Sequence, residues 1–87
     1  MTTRQAVDQL MQQCEDAIRF GQGQLQEGMK QEHYNGTEYT KAQEKLENAY
    51  KEIEEFSHSA NAQQREQLYR MRLQVQQLQN KLITTQH

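Results

Sequence analysis

The six residues Ser57-His58-Ser59-Ala60-Asn61-Ala62 decide the architecture of this chain. They are rich in weak helix formers and they separate a pair of apolar series. Before them run Tyr39, Ala42, Leu46, Ala49, Ile53, Phe56 and Ala60, spaced 3-4-3-4-3-4; after them run Leu68, Met71, Val75, Leu78 and Leu82, spaced 3-4-3-4. Each spacing is that of a helix with a single apolar seam. The two series are out of heptad phase by one residue, and the slip falls inside the hexapeptide. Two readings follow. The helix breaks there, with Ser59 or Asn61 capping a third helix. Or it runs on without supercoiling: Tyr39 to Leu82 is 43 steps, which at about 100° each returns to within ~20° of the starting face. No Gly or Pro follows Gly36, so a straight second helix reaching to the end of the chain stays open.

Working toward the N-terminus, Val7, Met11, Cys14, Ile18, Gly21, Leu25 and Gly28 are spaced 4-3-4-3-4-3, a third seam. Leu10, Ala17 and Met29 widen it. Thr2 with Gln5 fits a capping box at the helix start. Glycines 21, 23 and 28 are costly inside a helix. Two of the three fall on the seam, where they either admit a close neighbour or weaken the helix. His33-Tyr34-Asn35-Gly36-Thr37 is the strong turn signal, with Thr37 placed to cap the next helix and Glu38 favourable in its first turn. The expected fold is all-α, a single domain over 1–87: a helix ~3–32, a turn at 33–37, a helix ~38–57, a break at 57–62 and a helix ~62–83. It is an antiparallel, coiled-coil-like hairpin whose third segment completes a three-helix bundle or extends the second helix. The narrow seams favour coiled-coil packing over a broad core.

Composition agrees. Apolar residues make up only 33 % of the chain, and 17 glutamines stand largely in their place; glutamine forms helix well and suits a wet face. Proline is absent, which removes the strongest helix breaker. The net charge is −2, but it is unevenly spread. Residues 1–31 carry three basic and four acidic groups, residues 32–56 three and seven, and residues 57–87 four and one. An acidic middle and a basic end set register more than they stabilise. One cysteine, Cys14, excludes an intrachain disulfide and suits a reducing compartment. Met1-Thr2-Thr3-Arg4-Gln5 lacks a signal peptide's apolar core, and no run approaches the ~20 apolar residues of a membrane span. A cytoplasmic location, with no membrane partner, is the expectation.

A first helix of about 30 residues covers only a portion of a 44-residue partner. An extended second helix would leave Leu68, Met71, Val75, Leu78 and Leu82 exposed as an interaction surface. Either the third segment folds back, or the chain forms a homodimer or takes another protein along that stripe.

The residues offer little chemistry. Cys14 sits on a seam, where a buried apolar role is the ordinary one, and Glu15 and Asp16 beside it oppose a reactive thiolate. Glu55-Phe56-Ser57-His58 has the Glu-x-x-His spacing of di-iron bundles, but such a site needs a second copy and two more inward glutamates. His33, His58 and His87 with one cysteine do not make a zinc site. Arg65, Arg70, Arg72 and Lys81 form a basic segment with Tyr69 as the nearby aromatic; four charges on an acidic chain are a weak nucleic-acid footprint. Glu47 with Lys51 and Glu66 with Arg70 are i,i+4 pairs in the favourable order. No catalytic, cofactor or metal residues are assigned, and an enzyme is not expected.

The strings Thr3-Arg4-Gln5, Gln12-Gln13-Cys14, Lys30-Gln31-Glu32-His33-Tyr34-Asn35 and above all Asn61-Ala62-Gln63-Gln64-Arg65-Glu66-Gln67-Leu68 resemble the YtzC-like family of small Bacillus proteins, grouped as a domain of unknown function. That resemblance covers the whole chain, implies a Gram-positive cytosolic protein and carries over no functional residue. A second resemblance, to the WXG-type helical hairpins exported by type VII secretion, rests on Tyr34-Asn35-Gly36 at mid-chain and on Tyr50-Lys51-Glu52-Ile53-Glu54. The sequence departs from that pattern in two ways: Trp is absent, and Tyr50 lies more than thirty residues from the end. The functional expectation is a non-enzymatic interaction or adaptor protein. The alternatives are a nucleic-acid-associated protein using the basic last helix and a WXG-like exported factor.

Overall fold

The computed structural model describes residues 3–31 and 36–85, the side chains of 29–31 excepted. Three helices follow in order: α1 (Arg4–Gln31), α2 (Gly36–Ser57) and α3 (Ala62–Thr85). The hexapeptide breaks the helix, and the straight-helix reading is overturned. Hydrogen bonds from His58 N to Glu55 O (3.3 Å) and from Ser59 N to Phe56 O (3.2 Å) tighten the end of α2. Three residues on, Asn61 and Gln64 form a reciprocal capping box. Gln64 N donates to Asn61 Oδ1 (2.8 Å) and Asn61 N donates to Gln64 Oε1 (3.0 Å), which satisfies two amides that a helix start leaves free. Of the two residues expected as caps, Asn61 takes the role. Ala60 between them is buried, so the turn is pinned to the core as well as capped.

At the other helix starts the expectations shift. Thr2 lies outside the described residues; the cap observed on α1 is Thr3, whose Oγ1 accepts from Ala6 N at 3.1 Å. α2 includes Gly36 and Thr37, so it starts within two residues of the expected position, with Glu38 in its first turn as read from the sequence. Residues 33–35 of the expected turn and the side chain of Met29 lie outside the described residues.

The 28 residues of α1, at a rise of about 1.5 Å each, span roughly 42 Å, close to the 45 Å long axis of the molecule. With α2 and α3 at 22 and 24 residues, α1 runs the length of both. All three helix pairs pack together. The α2–α3 pair is antiparallel, because its contacts pair rising with falling numbers: Tyr39 with Leu82, Glu47 with Gln79, Tyr50 with Gln76. The Tyr39 hydroxyl donates to Leu82 O at 2.5 Å in the interior. That carbonyl is among the last four of α3, which have no partner within the helix.

The core is formed by all three seams, with Leu10, Cys14, Leu46, Ile53, Leu68, Val75 and Leu82 among its most buried members. On α1 the centre of the stripe differs from the heptad reading. Leu10 and Ala17, expected at its margin, are buried, whereas Met11 and Ile18 are only partly so. A helix that packs against two neighbours needs a wider apolar stripe than a two-stranded seam.

Candidate interaction surface

The stripe expected as an interface is the inside of the bundle. Leu68, Met71, Val75, Leu78 and Leu82 are 0, 4, 0, 6 and 0 % exposed. With α3 folded back onto α1 and α2, these residues no longer require a second chain, and the reason given for a homodimer along them is removed.

The expected basic patch is also rearranged. At about 100° per residue, Arg65 and Arg72 fall on one flank of the buried stripe of α3, and Arg70 and Lys81 on the other, some 150° away. Arg70 is engaged by Glu66 at 2.8 Å, and Arg65 Nε donates to Ala60 O at 3.2 Å. The Arg72 guanidinium lies 5.4 Å from the Tyr69 ring centroid, and its buried Nε has no hydrogen-bond partner. The four cations thus do not form one surface. Glu55 and His58 are both exposed, and His33 and His87 lie outside the described residues.

Cys14 is fully buried. Burial, then Glu52 on the neighbouring helix, then Glu15, push its thiol up to about 11. The sequence pointed to carboxylates beside it in the chain; desolvation is the larger cause.

What the heptad reading missed is a second apolar series on α3. Tyr69, Leu73 and Ile83 remain exposed at 54, 40 and 62 %. With the polar Gln76 and Asn80 between them they share one helix face, at 69, 73, 76, 80 and 83, spaced 4-3-4-3. It was masked because the buried series on the same helix is more strongly apolar. Leu73 faces solvent, while Tyr69, Asn80 and Ile83 border the groove between α2 and α3. Along its floor Gln76 Nε2 lies 3.5 Å from the Tyr50 hydroxyl, and Gln79 Nε2 3.4 Å from Glu47 Oε2. One end is a broad open depression lined by Glu44, Glu47, Lys51, Gln79, Asn80 and Ile83 among others. The other end is lined by Ile53, Ser57, Arg65, Glu66, Tyr69 and Arg72. Exposed ion pairs run along the helices: Glu47–Lys51 (3.9 Å) and Glu66–Arg70 (2.8 Å), as the spacing predicted, with Glu38–Lys41 (3.9 Å) in addition. Pairs so exposed contribute little stability.

The fold places the chain among small all-α three-helix bundles, with a hydrocarbon interior and glutamine-rich outer faces. The chain belongs to the protein family of unknown function DUF2524, whose model matches residues 1–84. It is 53 % identical over 83 residues to the uncharacterized protein YtzC of Bacillus subtilis (strain 168), covering 95 % of this chain and 92 % of that protein. No solved structure matches it. The resemblance read from the strings above is thereby shown.

Proposed function

We propose that this is a non-enzymatic interaction protein that binds another polypeptide through the outer face of α2 and α3. The observation that carries the reading is the exposed series Tyr69, Leu73 and Ile83 on one face of α3. Single exposed apolar residues are ordinary, but Tyr69 and Ile83 at the rim of an open groove, with Leu73 on the same helix face, suit a helix-binding surface. A cytoplasmic setting goes with it: the lone thiol is free and buried. No helix among the described residues is long and apolar enough to cross a membrane.

The test is recovery of bound protein from the native host, comparing the wild type with Leu73→Glu and Ile83→Glu. Both positions are solvent-facing, so each variant should keep its helicity by circular dichroism while losing its bound protein. Unchanged recovery by both folded variants would remove the proposal.

A further inference from the structure

We infer that the occupant of the α2–α3 face is a second copy of this chain, related by a two-fold axis passing near Gln76. This rests on the interaction reading above and gives it a partner. Tyr69 and Ile83 lie 14 residues apart on one helix face, about 21 Å, with Gln76 midway. A two-fold axis there lays α3 antiparallel on the second copy's α3. Tyr69 then faces the second copy's Ile83, and Leu73 lies against its Asn80. Every exposed apolar residue of the series is covered, and no residue is asked to match anything but this sequence.

Charge selects that arrangement. Of the groups that line the Ile83 end of the groove, Glu44 and Glu47 outnumber Lys51. At the Tyr69 end Arg65 and Arg72 outnumber Glu66. The face is therefore negative at one end and positive at the other. Antiparallel pairing brings unlike ends together twice, whereas parallel pairing sets like against like. The register can be followed residue by residue. Glu47 lies beside Gln79, and Gln79 lies three residues beyond the axis. The second copy's Glu47 consequently lands beside Leu73 and Arg72, and its Glu44 beside Tyr69 and Arg65. Glu47 already meets Lys51, but at 3.9 Å with both side chains more than half exposed, a pairing that yields readily to a second cation.

The extent of the face is adequate for a modest dimer. The 24 residues of α3 run about 36 Å. With a molecular width of 19 Å, the face offers on the order of 700 Å² per copy, near the ~800 Å² per partner of a standard interface. Few of its residues are apolar, so the pairing is expected to be weak.

The experiment is sedimentation equilibrium on the full chain from about 5 µM to about 1 mM, the range in which a weak dimer forms and dissociates. The wild type should pass from monomer to dimer across the range. Leu73→Glu should weaken the dimer at least about tenfold, as should Arg72→Glu or Glu47→Arg alone, by placing like charges across the axis twice. An equimolar mixture of Arg72→Glu with Glu47→Arg chains should regain the wild-type constant within about threefold, because both cross-axis pairs are then unlike. Circular dichroism of each variant checks that it is folded, with Ile83→Glu in place of any that is not.

A wild type that stays monomeric to the top of the range overturns the self-pairing. So does a dimer indifferent to Leu73→Glu and Ile83→Glu, or a charge-swapped mixture no tighter than its components. If the chain is monomeric but the native-host partner still depends on Leu73, only the self-pairing fails and the interaction reading stands. If neither measurement responds to Leu73 or Ile83, both fail.

Discussion

Two glycines on one helix provide a measurement of packing in which helix propensity cancels. Gly21 and Gly23 both lie inside α1, so replacing either with alanine relieves the same backbone cost, about 1 kcal/mol. Their surroundings differ. A Cβ on Gly23 would meet nothing within 4 Å. A Cβ on Gly21 would sit 2.8 Å from Leu78 Cδ2 and 3.4 Å from Leu46 Cδ1. Leu78 is 6 % exposed and Leu46 fully buried, so the Leu78 tip must turn toward the surface depression it shares with Ile18 and Gln22. Forcing a methyl group into such a site costs about 1–3 kcal/mol. Gly23→Ala should therefore stabilise by about 1 kcal/mol, a rise in Tm of roughly 4–8 °C for a domain of this size. Gly21→Ala should range from neutral to about 2 kcal/mol destabilising. The assay is thermal and urea unfolding by far-ultraviolet circular dichroism, with all three proteins at one low concentration. If Gly21→Ala melts as high as Gly23→Ala, Gly21 does not admit Leu78 in the way described, and the glycine only weakens the helix.

Two further outcomes follow from local geometry. Asn61→Ala removes one half of the capping box and should lower stability by about 1 kcal/mol in urea unfolding, with Asn61→Asp close to the wild type. For Cys14, the folded thiol is pushed up to about 11 from an ordinary 9.0, so folding favours the neutral form. Its contribution is full below pH 9 and is lost as pH rises through 11. The loss should be on the order of 2–3 kcal/mol. Chemical unfolding at pH 8 and pH 11 should show the wild type losing more stability than Cys14→Ala, and equal losses would refute the assignment.

The sequence by itself determined that the chain is helical and which residues form the seams of α2 and α3. Heptad spacing is a local property: it depends on which side chains share a helix face, and 3-4 alternation in Tyr39–Ala60 and Leu68–Leu82 could be counted before any partner was known. The family, too, was legible in short strings such as Asn61–Leu68. Other features required the tertiary structure. Whether 57–62 broke the helix depended on a trade. A straight helix would gain a few more backbone hydrogen bonds, whereas a capped turn lets five apolar residues of α3 leave water within the same chain. Burial of that stripe outweighs one turn of helix, and the capping box offsets some of the turn's cost. The heptad rule read Leu68–Leu82 correctly as a seam but could not say which molecule would cover it. Once α1 and α2 covered it, the outward face of α3 was defined for the first time, and Tyr69, Leu73 and Ile83 became a surface instead of minor breaks in a polar pattern. The same fold-back divided the basic residues between two flanks, because charges adjacent in sequence share a face only at three- or four-residue spacing. Spacing along a helix is fixed by the chain, and so it can be read from the chain; what faces that helix is fixed by where burying apolar area stabilises most, and only the packed structure decides it.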